Sequence, residues 1–254
     1  MASATIPSET HEPQVINPTG SHRIVLICEH ASNRVPDRFS RLGLDDAALQ
    51  AHIAWDPGAF ETAHRMSEIL DAPLVYSTVS RLVYDCNRPP EATSAIPEKS
   101  ETTDIPGNRN LSAEAWQQRV DAYYKPFEAL VNNVIENRPN DTVLVTIHSF
   151  TPNYFGKKRD VEIGILHDRD RRLADAILDI ADEEHIARNE PYGPEDGVTH
   201  TLKHHALSRD LLNVMIEVRN DLITTPRQCE AMAGKLVSWL DTSLVSMQKG
   251  NANA

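Results

Sequence analysis

Apolar and polar positions along this chain are grouped in blocks rather than spread evenly. Ile24-Val25-Leu26-Ile27-Cys28 is a continuous apolar run that ends in Glu29-His30, the pattern of a strand buried on both faces. Thr142 to Ile147 repeats it and ends in His148, while Leu212 to Val218 carries Glu217 near its end. Pro73 to Thr78 and Val161 to His167 read as further strands, and Leu82 to Tyr84 as a short extended piece. Between them lie helical patterns. Ala47 to Ala54 and Pro57 to Leu70 are the first two, the latter with Ala59, Ala63, Met66 and Leu70 on one face. Ser112 is an N-cap for a helix to Asn137, which Pro126 should kink. Leu173 to Ile186 is amphipathic, and Thr225-Pro226 opens a last helix to about Met247.

Strands alternating with helices imply an α/β domain with a mostly parallel sheet covered on both faces. Residues 1–20, rich in Ser, Thr, Pro and Glu, read as a flexible arm, and 21–248 as one domain ahead of a frayed tail. Residues 89–110 lack apolar periodicity. A connection of about twenty residues without regular structure is uncommon in a compact domain and is usually functional.

Composition narrows the classes. The 254 residues are 40% hydrophobic and 24% charged, ordinary globular proportions. Lys+Arg 25 against Asp+Glu 37 gives a net charge of -12, and no basic stripe forms, so neither nucleic acid nor an anionic membrane surface is an expected partner. No apolar run approaches the roughly 18 residues of a membrane span. Cys28, Cys86 and Cys229 are odd in number and far apart, which argues against a disulfide framework or a zinc knuckle. With no basic-then-apolar N-terminal stretch, a reducing, cytoplasmic setting is expected. The oligomeric state stays open.

The chemistry gathers where strands end. In open α/β sheets, sites form outside the carboxyl ends of the strands. Here those ends carry Glu29-His30, Asp85-Asn87-Arg88, His148-Ser149 and Glu217-Arg219. His30 and His148 are either hydrogen-bonded strand-end histidines or metal ligands, since neutral imidazole suits zinc. Asp56, before Pro57, is either a helix cap or a third ligand, with His52 and Glu29 in reserve. Glu217, late in an apolar strand, is either paired with Arg219 or poised as a general base with a raised pKa. Arg81, Arg88 and Arg219 could grip a substrate carboxylate or stabilise an oxyanion, against the commoner use of arginine in structural ion pairs. The turn-rich loop Pro191 to His200 is a candidate substrate cover that brings His200 with it. No G-x-S-x-G, GxxxxGK[ST] or GxGxxG motif is present.

Strand-His30, Trp55-Asp56, Ser80 to Pro89 (SRLVYDCNRP), Ile147-His148-Ser149 and Ile216-Glu217 together resemble the N-formylglutamate amidohydrolase family. The resemblance runs from about residue 24 to 223. It implies a three-layer αβα sandwich around a mixed, mainly parallel sheet, of the zinc-carboxypeptidase-like (phosphorylase/hydrolase-like) kind. It also implies a zinc-activated water attacking an amide carbonyl. His30 and His148 then become zinc ligands, Asn87-Arg88 the substrate-gripping pair and Glu217 the general base. Asp56 stands where the best-known members have a histidine after their tryptophan, which makes it the third ligand.

The resulting expectation is a zinc-dependent amidohydrolase, or one using another divalent metal, acting on an N-formyl or N-acyl amino acid, a small anionic amide. His30, Asp56 and His148 hold the metal; Glu217 and Arg81 are catalytic; Asn87, Arg88, Arg219 and His200 bind substrate. Two rival classes remain. One is an inactive ligand-binding protein on the same fold, suggested by the amide at Asn33. The other is a metal-free hydrolase with Cys86 as nucleophile, disfavoured because Asp85 next to it opposes a thiolate.

Overall fold

The apolar runs that end in histidine or glutamate form the middle of one sheet. A computed structural model describes residues 11–181 and 183–252. Its main strands are β1 (Gln14–Ile16), β2 (Ile24–Cys28), β3 (Leu74–Tyr76), β4 (Val143–Phe150), β5 (Ile163–Leu166), β6 (Ile186–Arg188) and β7 (Asn213–Arg219). They make a seven-stranded sheet in the order β1-β3-β2-β4-β7-β5-β6. The central ladders β3/β2, β2/β4 and β4/β7 are parallel, as is β5/β6; β1/β3 and β5/β7 are antiparallel. Every residue of β2, β4 and β7 is buried, which is why these strands read as runs rather than alternations.

Helices cover both faces. They are α1 (Asp46–Gln50), α2 (Ala59–Leu70), α3 (Ala113–Arg119), α4 (Lys125–Glu136), α5 (Arg172–Leu178) and α6 (Pro226–Ala252). Ala63 and Met66 of α2, Leu173 of α5, and Leu236 and Leu240 of α6 share one core with Leu26, Val145 and Ile216. On the other face Phe127 and Val131 of α4 pack in a second core with Val25, Ile27, Leu144 and Met215. The result is the expected mixed, mainly parallel α/β sandwich. Pro126 does distort its helix: a π-helical segment, Val120–Tyr124, joins α3 to α4. The wider turn accommodates a residue with no N–H to give and a ring that crowds the preceding turn.

Several expectations need correction. Within the arm, Gln14–Ile16 is an edge strand on β3, and Asn17 and Ser21 bond the Asp71 carboxylate; residues 1–10 lie outside the described residues. Leu82 to Tyr84 is a turn, buried by side-chain packing rather than by a ladder. The helix from Leu173 stops at Leu178, and Ile186, its expected end, starts β6 instead. The last helix continues to Ala252, beyond Met247.

Residues 89–110 are the largest revision. They contain a two-stranded ribbon, Lys99–Ser100 with Thr103–Asp104, flanked by short helical turns. Buried Asn108 pins the segment: its Nδ2 donates to Leu82 O (2.9 Å) and Pro97 O (2.8 Å), and its Oδ1 accepts from Arg119 (2.7 Å).

Candidate active site

Three chain segments converge at the carboxyl ends of β2, β4 and β7. The register of β4 with β7 sets His148 directly opposite Glu217. His30 follows β2, and its carbonyl accepts the Asp56 N–H (2.9 Å), which brings the 54–58 loop beside it. A third loop arrives through Ser80, whose hydroxyl donates to Ala54 O (2.7 Å), and it delivers Arg81 and Asp85.

His30 Nδ1, His148 Nδ1 and Asp56 Oδ2 form a buried triangle with sides of 3.2, 3.0 and 3.2 Å. The opposite edge of each imidazole faces a carboxylate. His30 Nε2 lies 2.7 Å from Asp85 Oδ1, and His148 Nε2 lies 3.1 Å from Glu29 Oε2. An ionised carboxylate only accepts, so His30 Nε2 carries a hydrogen towards Asp85, and Glu29 at ion-pair distance favours the same orientation at His148; a cation at the centre would take the two Nδ1 lone pairs. The three potential ligand atoms lie close enough together to share one ion. Ligands at 2.0–2.1 Å around a tetrahedral cation stand about 3.3 Å apart, close to the separations found. The donor set fits a divalent metal, and His30, Asp56 and His148 are the residues that could hold one.

Electrostatics agree. Burial alone would lower both histidine pKa values, yet Asp85 and Asp56 around His30, and Glu29 and Asp56 around His148, raise them. That excess of negative charge favours a cation at the centre of the triangle. The Asp56 side chain does no helix capping: the cap of α2 is Gly58, and the Asp56 carboxylate accepts instead from Ser149 N (3.3 Å) and Arg81 (3.4 Å). The reserves stand further out. Glu29 backs His148, and His52 Nδ1 is 3.6 Å from Asp56 Oδ1.

Glu217 is buried and its Oε2 has no hydrogen-bond partner among the described residues. Burial pushes its pKa up to about 7, with nearby Asp56 adding to the effect against His148. It lines a cavity of about 170 Å³ together with His30, Asp56, His148, Arg81 and Arg88. Arg81 is shared between Asp85 (2.9 Å) and Asp56 (3.4 Å). Arg88 donates to Asn87 O (2.8 Å) and, among the described residues, has no carboxylate within ion-pair distance.

Other sequence candidates sit elsewhere or are otherwise engaged. Arg219 is outside the cavity lining, holding Asp221 (2.8 Å), Glu162 (3.3 Å) and the carbonyls of residues 159–161. That is its structural ion-pair use. His200 also lies outside the lining, with Nε2 2.8 Å from the Tyr124 hydroxyl. Asn87 does line the cavity, but its amide ties the 198–201 loop, donating to Val198 O (2.5 Å) and accepting from Thr201 N (3.0 Å). Cys86 is buried, and burial with Asp85 nearby raises its thiol pKa far, which removes a ready nucleophile. Asn33 bonds Leu49 O (2.9 Å) and only secures a loop.

Sequence reasoning missed the remaining walls: Ser100 and Glu101 from the 99–104 ribbon, and Tyr154 and Tyr192. The signals were partial, namely the aperiodic 89–110 segment and the turn-rich loop containing Tyr192.

Fold and site together define an α/β protein with a buried carboxylate–imidazole centre of the kind hydrolases use. The chain belongs to the N-formylglutamate amidohydrolase family, whose model matches residues 22–224. The crystal structure of the gene product Atu2144 from Agrobacterium tumefaciens is similar, with 50% identity and a TM-score of 0.92 over 95% of this chain and 98% of that one. N-formylglutamate amidohydrolase from Ralstonia eutropha JMP134 is 17% identical, with a TM-score of 0.59 over 91% and 99% of the two chains, a likeness of fold. No curated protein matches this chain. No described helix is long and apolar enough to cross a membrane.

Proposed function

We propose that this chain hydrolyses the amide bond of an N-formyl or N-acyl amino acid, with a zinc ion held by His30, Asp56 and His148. The convergence of His30 Nδ1, His148 Nδ1 and Asp56 Oδ2 beside the unpartnered Glu217 Oε2 carries the reading. A divalent cation on these donors supplies Lewis acidity, which makes water a nucleophile at neutral pH and polarises a carbonyl. Glu217 accepts the proton of the attacking water and returns it to the leaving nitrogen, so that acid and free amine depart. Its elevated pKa suits both halves of that transfer. Arg88, the free guanidinium of the cavity, pairs with the substrate carboxylate. Arg81 holds Asp56 and Asp85 in place and presents positive charge to the developing oxyanion. Asn87 acts one step removed, by fixing Val198 in the cavity wall.

The test is elemental analysis of purified wild type beside His148→Ala, followed by assay of carboxylate release from N-formyl and N-acyl amino acids. Near-stoichiometric zinc that is lost in the variant, together with hydrolysis, supports the reading. A wild type that binds no metal after reconstitution overturns it and leaves a ligand-binding protein.

A further inference from the structure

We propose that, on the amide-hydrolase reading above, this chain prefers substrates with a single carboxylate and an uncharged or cationic side chain over the dicarboxylate N-formylglutamate. The charges of the cavity wall set this preference. Arg81 is matched by Asp85 and Asp56 at 2.9 and 3.4 Å. Arg88 is left as the free cation, enough for one carboxylate.

Opposite in sign stands Glu101. It occupies the tight turn of the 99–104 ribbon with a left-handed φ of 50°, lines the same cavity, and has no hydrogen-bond or ion-pair partner among the described residues. Once a substrate carboxylate has taken Arg88, a second one finds no unmatched Arg or Lys among the described residues of the lining and meets Glu101. The net charge of -12 adds to the opposition at longer range. A neutral side chain escapes it, and a cationic one gains from Glu101.

Arg159 is the competing handle. Its guanidinium lies 4.4 Å from the Tyr154 ring centre, 4.9 Å from that of Tyr192 and 5.5 Å from that of Phe150, and it donates to Thr151 O. Tyr154 and Tyr192 line the cavity and Arg159 stands behind them, bonded to Tyr192, so its charge reaches the substrate across the two rings rather than by direct contact.

N-formylglutamate and N-formylglutamine are near-isosteric and differ in one charge, so their kcat/KM ratio on the zinc-loaded enzyme reads the preference directly. The expected ratio favours N-formylglutamine by about tenfold, as an order of magnitude for one like-charge contact at a partly solvated site. E101Q should shrink that ratio by lowering KM for N-formylglutamate. Preference for N-formylglutamate, abolished in R159Q, overturns the proposal and makes Arg159 the second handle. A zinc-loaded enzyme that cleaves no N-formyl or N-acyl amino acid fails differently, overturning the hydrolase reading and this proposal with it.

Discussion

Glu217 and His148 are Cα partners in the parallel ladder between β7 and β4, so their side chains stand side by side on one face of the sheet. Each strand reaches this point after a fully buried, mainly apolar stretch, which puts a carboxyl and an imidazole where water is scarce. The carboxyl responds with a pKa near 7, and the imidazole is caught between Asp56 and Glu29.

Glu217→Gln keeps the shape and removes the base. Turnover should fall by roughly 10²–10⁴-fold. Metal content should stay at the wild-type level, because Glu217 is outside the donor triangle. The folded state should be no less stable, since a buried carboxylate oxygen without a partner is replaced by an uncharged amide. Rate, metal analysis and a thermal melt on one preparation check all three, and a fully active variant would refute the base assignment.

Glu29→Gln tests the outer carboxylate. Glu29 is buried behind His148 Nε2, where a carboxylate raises imidazole basicity and fixes which ring nitrogen faces inward. Affinity for zinc should drop by roughly 10–100-fold, read by competition with a chromophoric chelator, while far-UV circular dichroism stays unchanged. Unaltered affinity would reduce Glu29 to a structural anion.

Legibility in the sequence followed the physics of burial. β2, β4 and β7 were readable because strands covered on both faces are mainly apolar, and the ionisable residues that end or interrupt them stand out. His30, His148 and Glu217 could be picked out for that reason, whereas Asp56, in the loop before α2, read equally as a helix cap and became a ligand candidate through the family resemblance. Arg219 and His200 show the limit: a polar group near a strand end can be used up by neighbours that only the fold brings close, here Glu162 with Asp221, and Tyr124. Asp85 was visible in the Asn-Arg-Pro stretch, but its contact with His30 spans 55 positions and has no local pattern. The 89–110 segment looked formless because one side chain, Asn108, does much of the work that a hydrophobic stripe does elsewhere.

That pinning is itself testable. Asn108→Ala leaves Leu82 O and Pro97 O without their donor and removes an acceptor from the buried Arg119 guanidinium. Each unsatisfied buried group costs about 1–3 kcal/mol. The midpoint of urea unfolding should fall accordingly. Proteolysis should speed up between residues 89 and 110, because the ribbon loses its anchor. An unchanged midpoint would mean that water replaces the amide without penalty.

Acid stability should carry the signature of His205. Its Nδ1 lies 2.9 Å from Asn132 Oδ1, and burial, with His204, Arg209 and His200 adding like charge, lowers its pKa from 6.5 to about 3. The folded-state value is below the unfolded one, so between these limits the unfolded chain binds a proton that the folded chain refuses. The associated stability is complete above pH 6.5 and is lost as pH falls towards 3, by up to about 1.4 kcal/mol per pH unit. Denaturant midpoints at pH 8, 6.5 and 5.5 should therefore drop in the acid step, and His205→Gln should flatten that drop. Parallel profiles for wild type and variant would rule the residue out.

Gly164 is the antiparallel partner of Glu217 on β5, so the carboxyl has an imidazole strand on one side and a bare backbone on the other. The Glu190 carbonyl occupies that bare position: a Cβ on Gly164 would collide with Glu190 O. Backbone cannot swing aside as a flexible side chain can, and the next residues lead to Tyr192 in the cavity wall. Gly164→Ala should therefore cost about 1–3 kcal/mol in unfolding free energy by overpacking. It should also raise KM more than it lowers kcat, because it displaces the wall while leaving His148 and Glu217 in register. A variant with an unchanged urea midpoint and unchanged KM would mean that residues 190–192 move freely, and that the wall they form plays no part in holding the substrate.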